Sequence, residues 1–322
     1  CKLLLAGSLR DRDHVDESIE ISREALREFE RLMMAYPDIL AYRLSLASQH
    51  AELAFALVDA GRTDDAEEEA EKALSLCTDL PAGLPRESFR GNLGNICNVL
   101  GGFRFEQRDF LGAIRYMDKF IAIDPTNATA HVNRSLAYRK LGDTTRGLAD
   151  VKTAVRLAPS SIKAHNGLGA VHCLRREYEA ADQAFTKVIE LEPNDAMGYG
   201  NRGTNRLLMG RYDEALADLT QALKLAPTEP NFNSGMASLL VSGPAEMRDP
   251  QKAVTMVEND LVLKHERQVI IGYARYRLGQ FQQAKEALTE AAELPDENNP
   301  RQLGRRLYFL AMACHQLGEQ EA

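Results

Sequence analysis

The sequence of residues 196–227 is AMGYGNRGTNRLLMGRYDEALADLTQALKLAP, and it contains two segments of spaced apolar residues joined by a short turn. In the second segment, Ala215, Leu219 and Ala222 are spaced by four and three residues, which places them on one side of an α-helix. Gly210 favours the end of the first segment because glycine readily adopts a positive φ. Pro227 cannot continue the second segment, since proline does not fit a helix interior. The stretch therefore predicts a pair of helices joined by a tight turn.

The same pattern recurs along the chain at a constant interval of 34 residues, which is the distance from Pro193 to Pro227. A proline closes each copy, and an aliphatic residue lies two positions before it. A further column holds small residues, at the point where two helices must approach closely. Aligned columns at one interval predict a tandem repeat. The prolines are Pro125, Pro159, Pro193 and Pro227, the aliphatic residues are Ile123, Leu157, Leu191 and Leu225, and the small residues are Gly101, Ser135, Gly169 and Gly203.

These columns resemble the tetratricopeptide repeat (TPR), a helix–turn–helix unit of about 34 residues. Within residues 162–193, the Leu168-Gly169 pair, Ala181, Phe185 and Pro193 match the family pattern. The resemblance implies an all-α fold, a right-handed α-solenoid of antiparallel helix pairs with about sixteen helices. Each pair would bury its apolar side against the next pair.

Four residues depart from the family pattern. Arg134 and Arg202 replace the leucine of the Leu-Gly pair, while Phe120 and Val188 occupy positions that usually hold a small residue. We expect these residues to change the local packing and to leave the fold intact.

The strength of the pattern predicts five segments. Because the sequence begins with Cys1 and ends within a helical pattern, we also expect it to be a fragment of a longer protein. The segments are repeat-like units with lengthened helices, the first one truncated (1–80), a loop containing Pro and Gly (81–88), four regular repeats (89–227), two irregular repeats (228–296) and a truncated C-terminal unit (297–322).

The composition excludes several classes of protein. The chain has 39 Lys and Arg against 47 Asp and Glu, a net charge of −8, which argues against a nucleic-acid-binding module. The five cysteines are widely spaced and include no CxxC pair, so we expect neither a disulfide framework nor a zinc site, and a cytoplasmic location fits. No apolar run approaches the roughly 20 residues of a membrane span. An anchor elsewhere in a longer protein would not be visible in this sequence.

The motifs of enzyme active sites are missing or misplaced. The GxGxxG string at 198–203 lies inside a predicted helix, whereas dinucleotide binding needs it between a strand and a helix. His165, His172 and Cys173 lie near one helix face, either as metal ligands or as packing residues of the repeat, and the repeat columns favour packing. We therefore predict no catalytic residue, no metal site and no cofactor in this fragment.

The resemblance implies that the first helix of each repeat lines a concave face on which a partner binds. Asparagine recurs on that face, and its amide can pair with the main chain of an extended peptide because it offers both a donor and an acceptor. The alternative is that these amides pair only with neighbouring helices and water. The predicted groove residues are Asn95, Asn98, Asn133, Arg139, Lys140, Lys163, Asn166, Asn201 and Thr204.

A clamp for a C-terminal carboxylate is not predicted. TPR domains of that type place a lysine at the fifth column of the first helix. Arg139, Lys140 and Lys163 could instead attract an acidic segment by weaker electrostatic forces. The fifth column holds Asn98, Val132, Asn166 and Gly200.

The function expected from the sequence is a non-catalytic scaffold or adaptor that binds a protein or peptide, in extended or helical form, on the concave face. Three alternatives stay open. The lengthened units and the enlarged turn at 243–250 resemble the C-terminal arrays of bacterial Ser/Thr protein kinases, which recruit substrates or mediate oligomerisation. A TPR region of a glycosyltransferase ranks lower, and self-association is the third alternative.

Overall fold

The computed structural model describes residues 15–76, 87–258, 264–293 and 300–318, and its regular structure in these ranges is helical throughout. The sixteen α-helices of the described residues confirm the all-α prediction. The chain forms two compact units, Cys1–Pro159 and Ser160–Ala322, which we call unit 1 and unit 2.

Unit 1 contains seven of the described helices and unit 2 contains nine. In unit 1 they are α1 (Val15–Ala35), α2 (Leu40–Asp59), α3 (Thr63–Ser75), α4 (Glu87–Glu106), α5 (Phe110–Ile123), α6 (Ala128–Lys140) and α7 (Thr144–Leu157). In unit 2 they are α8 (Ile162–Leu174), α9 (Tyr178–Leu191), α10 (Ala196–Met209), α11 (Tyr212–Leu225), α12 (Pro230–Ser242), α13 (Pro250–Glu258), α14 (Lys264–Arg277), α15 (Phe281–Glu293) and α16 (Pro300–Gln316).

Local side chains fix where the regular helices begin and end. The side chain of Asp143 accepts a hydrogen bond from the Arg146 N–H at 2.9 Å. Ser161 caps α8 in the same way, through the Ala164 N–H at 3.2 Å. Such caps satisfy backbone donors that have no partner within the helix. Gly210 ends α10 with a φ of 76°, as its position in the sequence predicts.

The apolar residues of the repeat pattern are buried between helices. Ala215, Leu219 and Ala222 of α11 are fully buried, which confirms the helical face predicted from their spacing. α10 packs against α11, and the same pairing of a first with a second helix joins α4 to α5, α6 to α7 and α8 to α9. Consecutive pairs within each unit also contact one another, so each unit is an array of stacked helix pairs, the arrangement expected of a solenoid.

The sequence singled out a loop at 81–88 and an enlarged turn at 243–250. Residues 81–86 of the predicted 81–88 loop lie outside the described residues, and Glu87 and Ser88 belong to α4. A 3-10 turn, Ala245–Met247, fills the enlarged connection between α12 and α13. None of the described helices combines the length and the apolar character that crossing a membrane requires.

Candidate functional site

In unit 1, two asparagines meet across neighbouring first helices. Asn98 lies on α4 and Asn133 lies on α6, and both side chains are half-buried. The Asn133 Nδ2 donates a hydrogen bond to the Asn98 Oδ1 at 2.6 Å. The amides therefore form a direct link between two consecutive repeats.

Unit 2 contains the same arrangement. Asn166 lies on α8 and Asn201 on α10, and the Asn201 Nδ2 donates to the Asn166 Oδ1 at 3.2 Å. The separation along the chain is the same in both pairs, and the second pair lies two repeats after the first. We call Asn98–Asn133 and Asn166–Asn201 the asparagine pairs.

Each asparagine pair keeps hydrogen-bonding capacity that the described residues do not use. The mutual bond takes one N–H of one amide and one lone pair of the other. Among the described residues, Asn98 Nδ2 and Asn133 Oδ1 have no further partner, and the same is true of Asn166 Nδ2 and Asn201 Oδ1. A half-exposed donor beside a half-exposed acceptor matches the N–H and C=O of a peptide main chain.

The other predicted groove residues lie on the same first helices. Asn95 is exposed on α4, Lys140 is exposed at the end of α6, and Arg139 beside it is half-buried. In unit 2, Lys163 on α8 and Thr204 on α10 are exposed. The Thr204 Oγ1 donates to the Gly200 carbonyl oxygen at 2.9 Å, a bond within its own helix.

Arg134, the residue after Asn133, ties its helix to two second helices. Its guanidinium donates to both carboxylate oxygens of the buried Asp150 at 2.8 and 2.7 Å, and to Asp118 at 2.6 Å. These bonds to Asp150 and then to Asp118 raise the pKa of Arg134 above its ordinary value. His131 Nδ1 is 3.2 Å from the same Asp150.

Arg202, the residue after Asn201, repeats this arrangement in unit 2. It donates to both oxygens of Asp218 at 2.9 and 2.8 Å and to the Thr186 Oγ1 at 3.1 Å. Burial alone would lower the pKa of Arg202, but the bonds to Asp218 outweigh it and the pKa is raised. Arg206 adds a second cation to Asp218 at 2.8 Å.

These arginines hold the helices that carry Asn133 and Asn201, and sequence reasoning did not assign them that role. The available signal was the Asn-Arg dipeptide at 133–134 and 201–202, which recurs two repeats later together with Asp150 and Asp218. A comparison of adjacent repeats does not reveal this signal, because the dipeptide is present only in every second repeat of this region.

On α8, His172 has its partner within the same repeat, whereas the partner of Cys173 lies on α10 of the next repeat. His172 Nδ1 is 2.6 Å from Glu177 Oε2, and this contact, together with Arg175, lowers the pKa of Glu177. The Cys173 thiol donates to the Asn205 Oδ1 at 3.1 Å, and His165 is buried. The described parts of the chain contain no group of three or more His, Cys, Asp or Glu residues placed to hold a metal ion.

Three family models of the tetratricopeptide repeat match this chain. They cover residues 104–162 and 132–196, residues 196–229, and residues 266–298. The regular region that contains Asn133, Asn166 and Asn201 is therefore matched.

The proteins similar to this chain match only part of it. Hsp70-Hsp90 organizing protein 2 of Arabidopsis thaliana is 29% identical over 110 residues, 34% of this chain and 19% of that protein. Tetratricopeptide repeat protein 6 of Homo sapiens is 31% identical over 210 residues, 64% of this chain and 40% of the relative. The chain thus spans less than half the length of either relative.

A solved structure shares the fold. A tetratricopeptide repeat protein from Parabacteroides merdae ATCC 43184 superimposes with a TM-score of 0.62 at 20% sequence identity. The match covers 82% of this chain and 98% of the solved chain.

Proposed function

The chain belongs to the tetratricopeptide repeat family, and we propose that it is a non-catalytic scaffold that binds an extended peptide segment of a partner protein along its first helices. The asparagine pairs would contact the main chain of the peptide. Side chains around them, including Asn95, Lys140, Lys163 and Thr204, would contact its side chains.

The observation that carries this proposal is the unused donor and acceptor of each asparagine pair. An extended peptide presents N–H and C=O groups that need partners when water is removed from them. An amide that offers both functions satisfies them whatever the peptide sequence. The bond between the two asparagines of a pair uses one N–H and one lone pair, so the alternative in which they serve only the fold leaves most of their hydrogen-bonding capacity without a protein partner among the described residues.

The relatives support a scaffold function in general terms. The name of the Arabidopsis relative states that it organizes Hsp70 and Hsp90, which is a function of binding proteins. A cytoplasmic location belongs to the same proposal, and Cys97, Cys173 and Cys314, which form no disulfide among the described residues, fit a reducing compartment. We assign no catalytic step to these repeats. Among the described residues of unit 1 and unit 2, no contact favours a kinase, glycosyltransferase or self-association function over peptide binding.

The test is selection of a displayed random dodecapeptide library on the purified chain and on the variant Asn133→Ala/Asn201→Ala. We expect the chain to enrich peptides that the variant binds at least tenfold more weakly, a difference of about 1.4 kcal/mol. Asn194→Ala is the matched control, because Asn194 is an exposed asparagine in the turn before α10.

Circular dichroism of each variant establishes that the helices are retained. Equal affinity of the double variant for the selected peptides would overturn the proposal.

A further inference from the structure

The first helices that carry the two asparagine pairs correspond position by position, at an offset of two repeats. α4 corresponds to α8 and α6 corresponds to α10, because the same asparagine bond and the same arginine–aspartate bonds recur. Exposed residues at equivalent positions therefore occupy the same place relative to each pair. Differences between them indicate differences in what each surface recognises.

At the last turn of the helices, unit 2 exposes leucine where unit 1 exposes charge. Leu174 of α8 and Leu208 of α10 are 51% and 58% exposed. The equivalent residues of unit 1 are Glu106 and Lys140, both exposed. Exposed aliphatic side chains at equivalent positions of consecutive repeats favour contact with an apolar group, since binding removes their surface from water.

At the first turn, unit 2 carries a cation that unit 1 does not have. Lys163 of α8 is exposed and makes no hydrogen bond or ion pair with the described residues. Met197 of α10, 42% exposed, is its neighbour one repeat later. The equivalent residues in unit 1 are the uncharged Asn95 and Thr129.

We infer that unit 2 binds an extended peptide segment that carries a carboxylate side chain and, about five residues away, an aliphatic side chain. The carboxylate complements the charge of Lys163, and the aliphatic group packs on Leu174 and Leu208. The helical rise from Lys163 to Leu174 is about 16 Å, which about five residues of extended chain can span. The inference rests on the proposed function, because Asn166 and Asn201 would hold the main chain between the two ends.

The experiment repeats the dodecapeptide selection on the full chain with Asn133→Ala, in which the unit 2 pair is the intact one. We expect the selected peptides to be enriched in Asp or Glu and, at a fixed spacing, in Leu, Ile, Val or Met. Adding Lys163→Glu should replace the acidic residue by Lys or Arg, an outcome that loss of folding cannot produce.

A second variant tests the leucines. Leu174→Glu/Leu208→Lys installs the residues that α4 and α6 carry at these positions, so the helices are expected to accept them. This variant should lose the aliphatic preference and bind the selected peptide at least tenfold more weakly. Leu111→Ser is the control, because Leu111 is an exposed leucine at the start of α5, and it should change neither preference.

The outcomes separate this inference from the proposed function. Enriched peptides that require Asn201 but keep the same composition in both variants would overturn the inference alone. Enrichment that does not depend on Asn133 or Asn201 in any background, or no enrichment at all, would overturn the proposed function and the inference with it.

Discussion

Glycines accommodate the large residues that depart from the family pattern. Phe120 stands where a small residue is usual, and its ring lies where a Cβ on Gly94 of α4 would be. Val188 is accommodated by Gly198, since a Cβ there would be 2.8 Å from Val188 Cγ1. The departures therefore come in pairs, a larger side chain on one helix and no side chain on the other, and the fold is kept.

Gly169 tests this packing. A Cβ at Gly169 would overlap the buried ring of Phe185, so Gly169→Ala should lower the free energy of unfolding by about 1–3 kcal/mol. The control is Gly102→Ala in α4, where a Cβ would meet nothing within 4 Å. Alanine favours helix over glycine, so the control should be neutral or more stable by up to about 1 kcal/mol. Chemical unfolding followed by circular dichroism measures both, and equal stability of the two variants would contradict the packing argument.

Two arginines adopt a backbone conformation that favours glycine. Arg108 and Arg176 have φ values of 63° and 62°, at the turn where Gly142 and Gly210 have 77° and 76°. A side chain in the left-handed region costs about 1–2 kcal/mol, and glycine costs about 0.5–1 kcal/mol more entropy on folding.

Arg176→Gly should therefore stabilise the chain by about 0.5–1 kcal/mol, and Gly210→Arg should destabilise it by a similar amount. Thermal unfolding of the two variants gives the sign of each change. A lower melting temperature for Arg176→Gly would show that the arginine side chain contributes more than its backbone conformation costs.

At the scale of the helices, Asp150 and Asp218 differ in the number of arginines that contact them. Asp150 is held by Arg134 and, at 3.2 Å, by His131, whereas Asp218 is held by Arg202 and Arg206. Removing one partner of a buried ion pair is costly because the other charge stays buried.

Arg134→Met should cost about 3 kcal/mol of stability, since Arg134 is the only guanidinium that the described residues place on Asp150. Arg202→Met should cost less, about 1–2 kcal/mol, since Asp218 keeps its charged hydrogen bond with Arg206. Urea unfolding measures the free energy of unfolding of both variants. An equal loss, or a larger loss for Arg202→Met, would show that the number of arginines on each aspartate does not set the cost.

The helices were predictable from the sequence, and the contacts between them were not. The ends and the buried face of a helix are local properties, so the sequence predicts them correctly. Examples are the helix ends at Gly210 and Pro227 and the buried face formed by Ala215, Leu219 and Ala222. The pairing of Asn133 with Asn98, and of Arg134 with Asp150, depends on which helices are neighbours. The positive φ of Arg176 was not predictable either, because the left-handed backbone conformation favours glycine and arginine rarely adopts it.

At the scale of the whole molecule, the contacts within α4–α11 recur every two helix pairs rather than every pair. The asparagine pairs, the arginine–aspartate contacts and the alternation of arginine and glycine at positive φ all recur after two repeats. One such module lies in unit 1 and the next lies in unit 2. The predicted groove residues that make up the asparagine pairs are thus parts of two similar surfaces, whose exposed neighbours differ.

The contact between asparagine and peptide is accessible to NMR spectroscopy. The chain is labelled with ¹⁵N-asparagine, and a peptide from the selection is titrated while the side-chain amide resonances are recorded. We expect the resonances of Asn98 and Asn133, or of Asn166 and Asn201, to shift with the occupancy of the peptide, while that of Asn194 does not. Side-chain resonances of all four paired asparagines that stay fixed while the peptide binds would contradict this expectation.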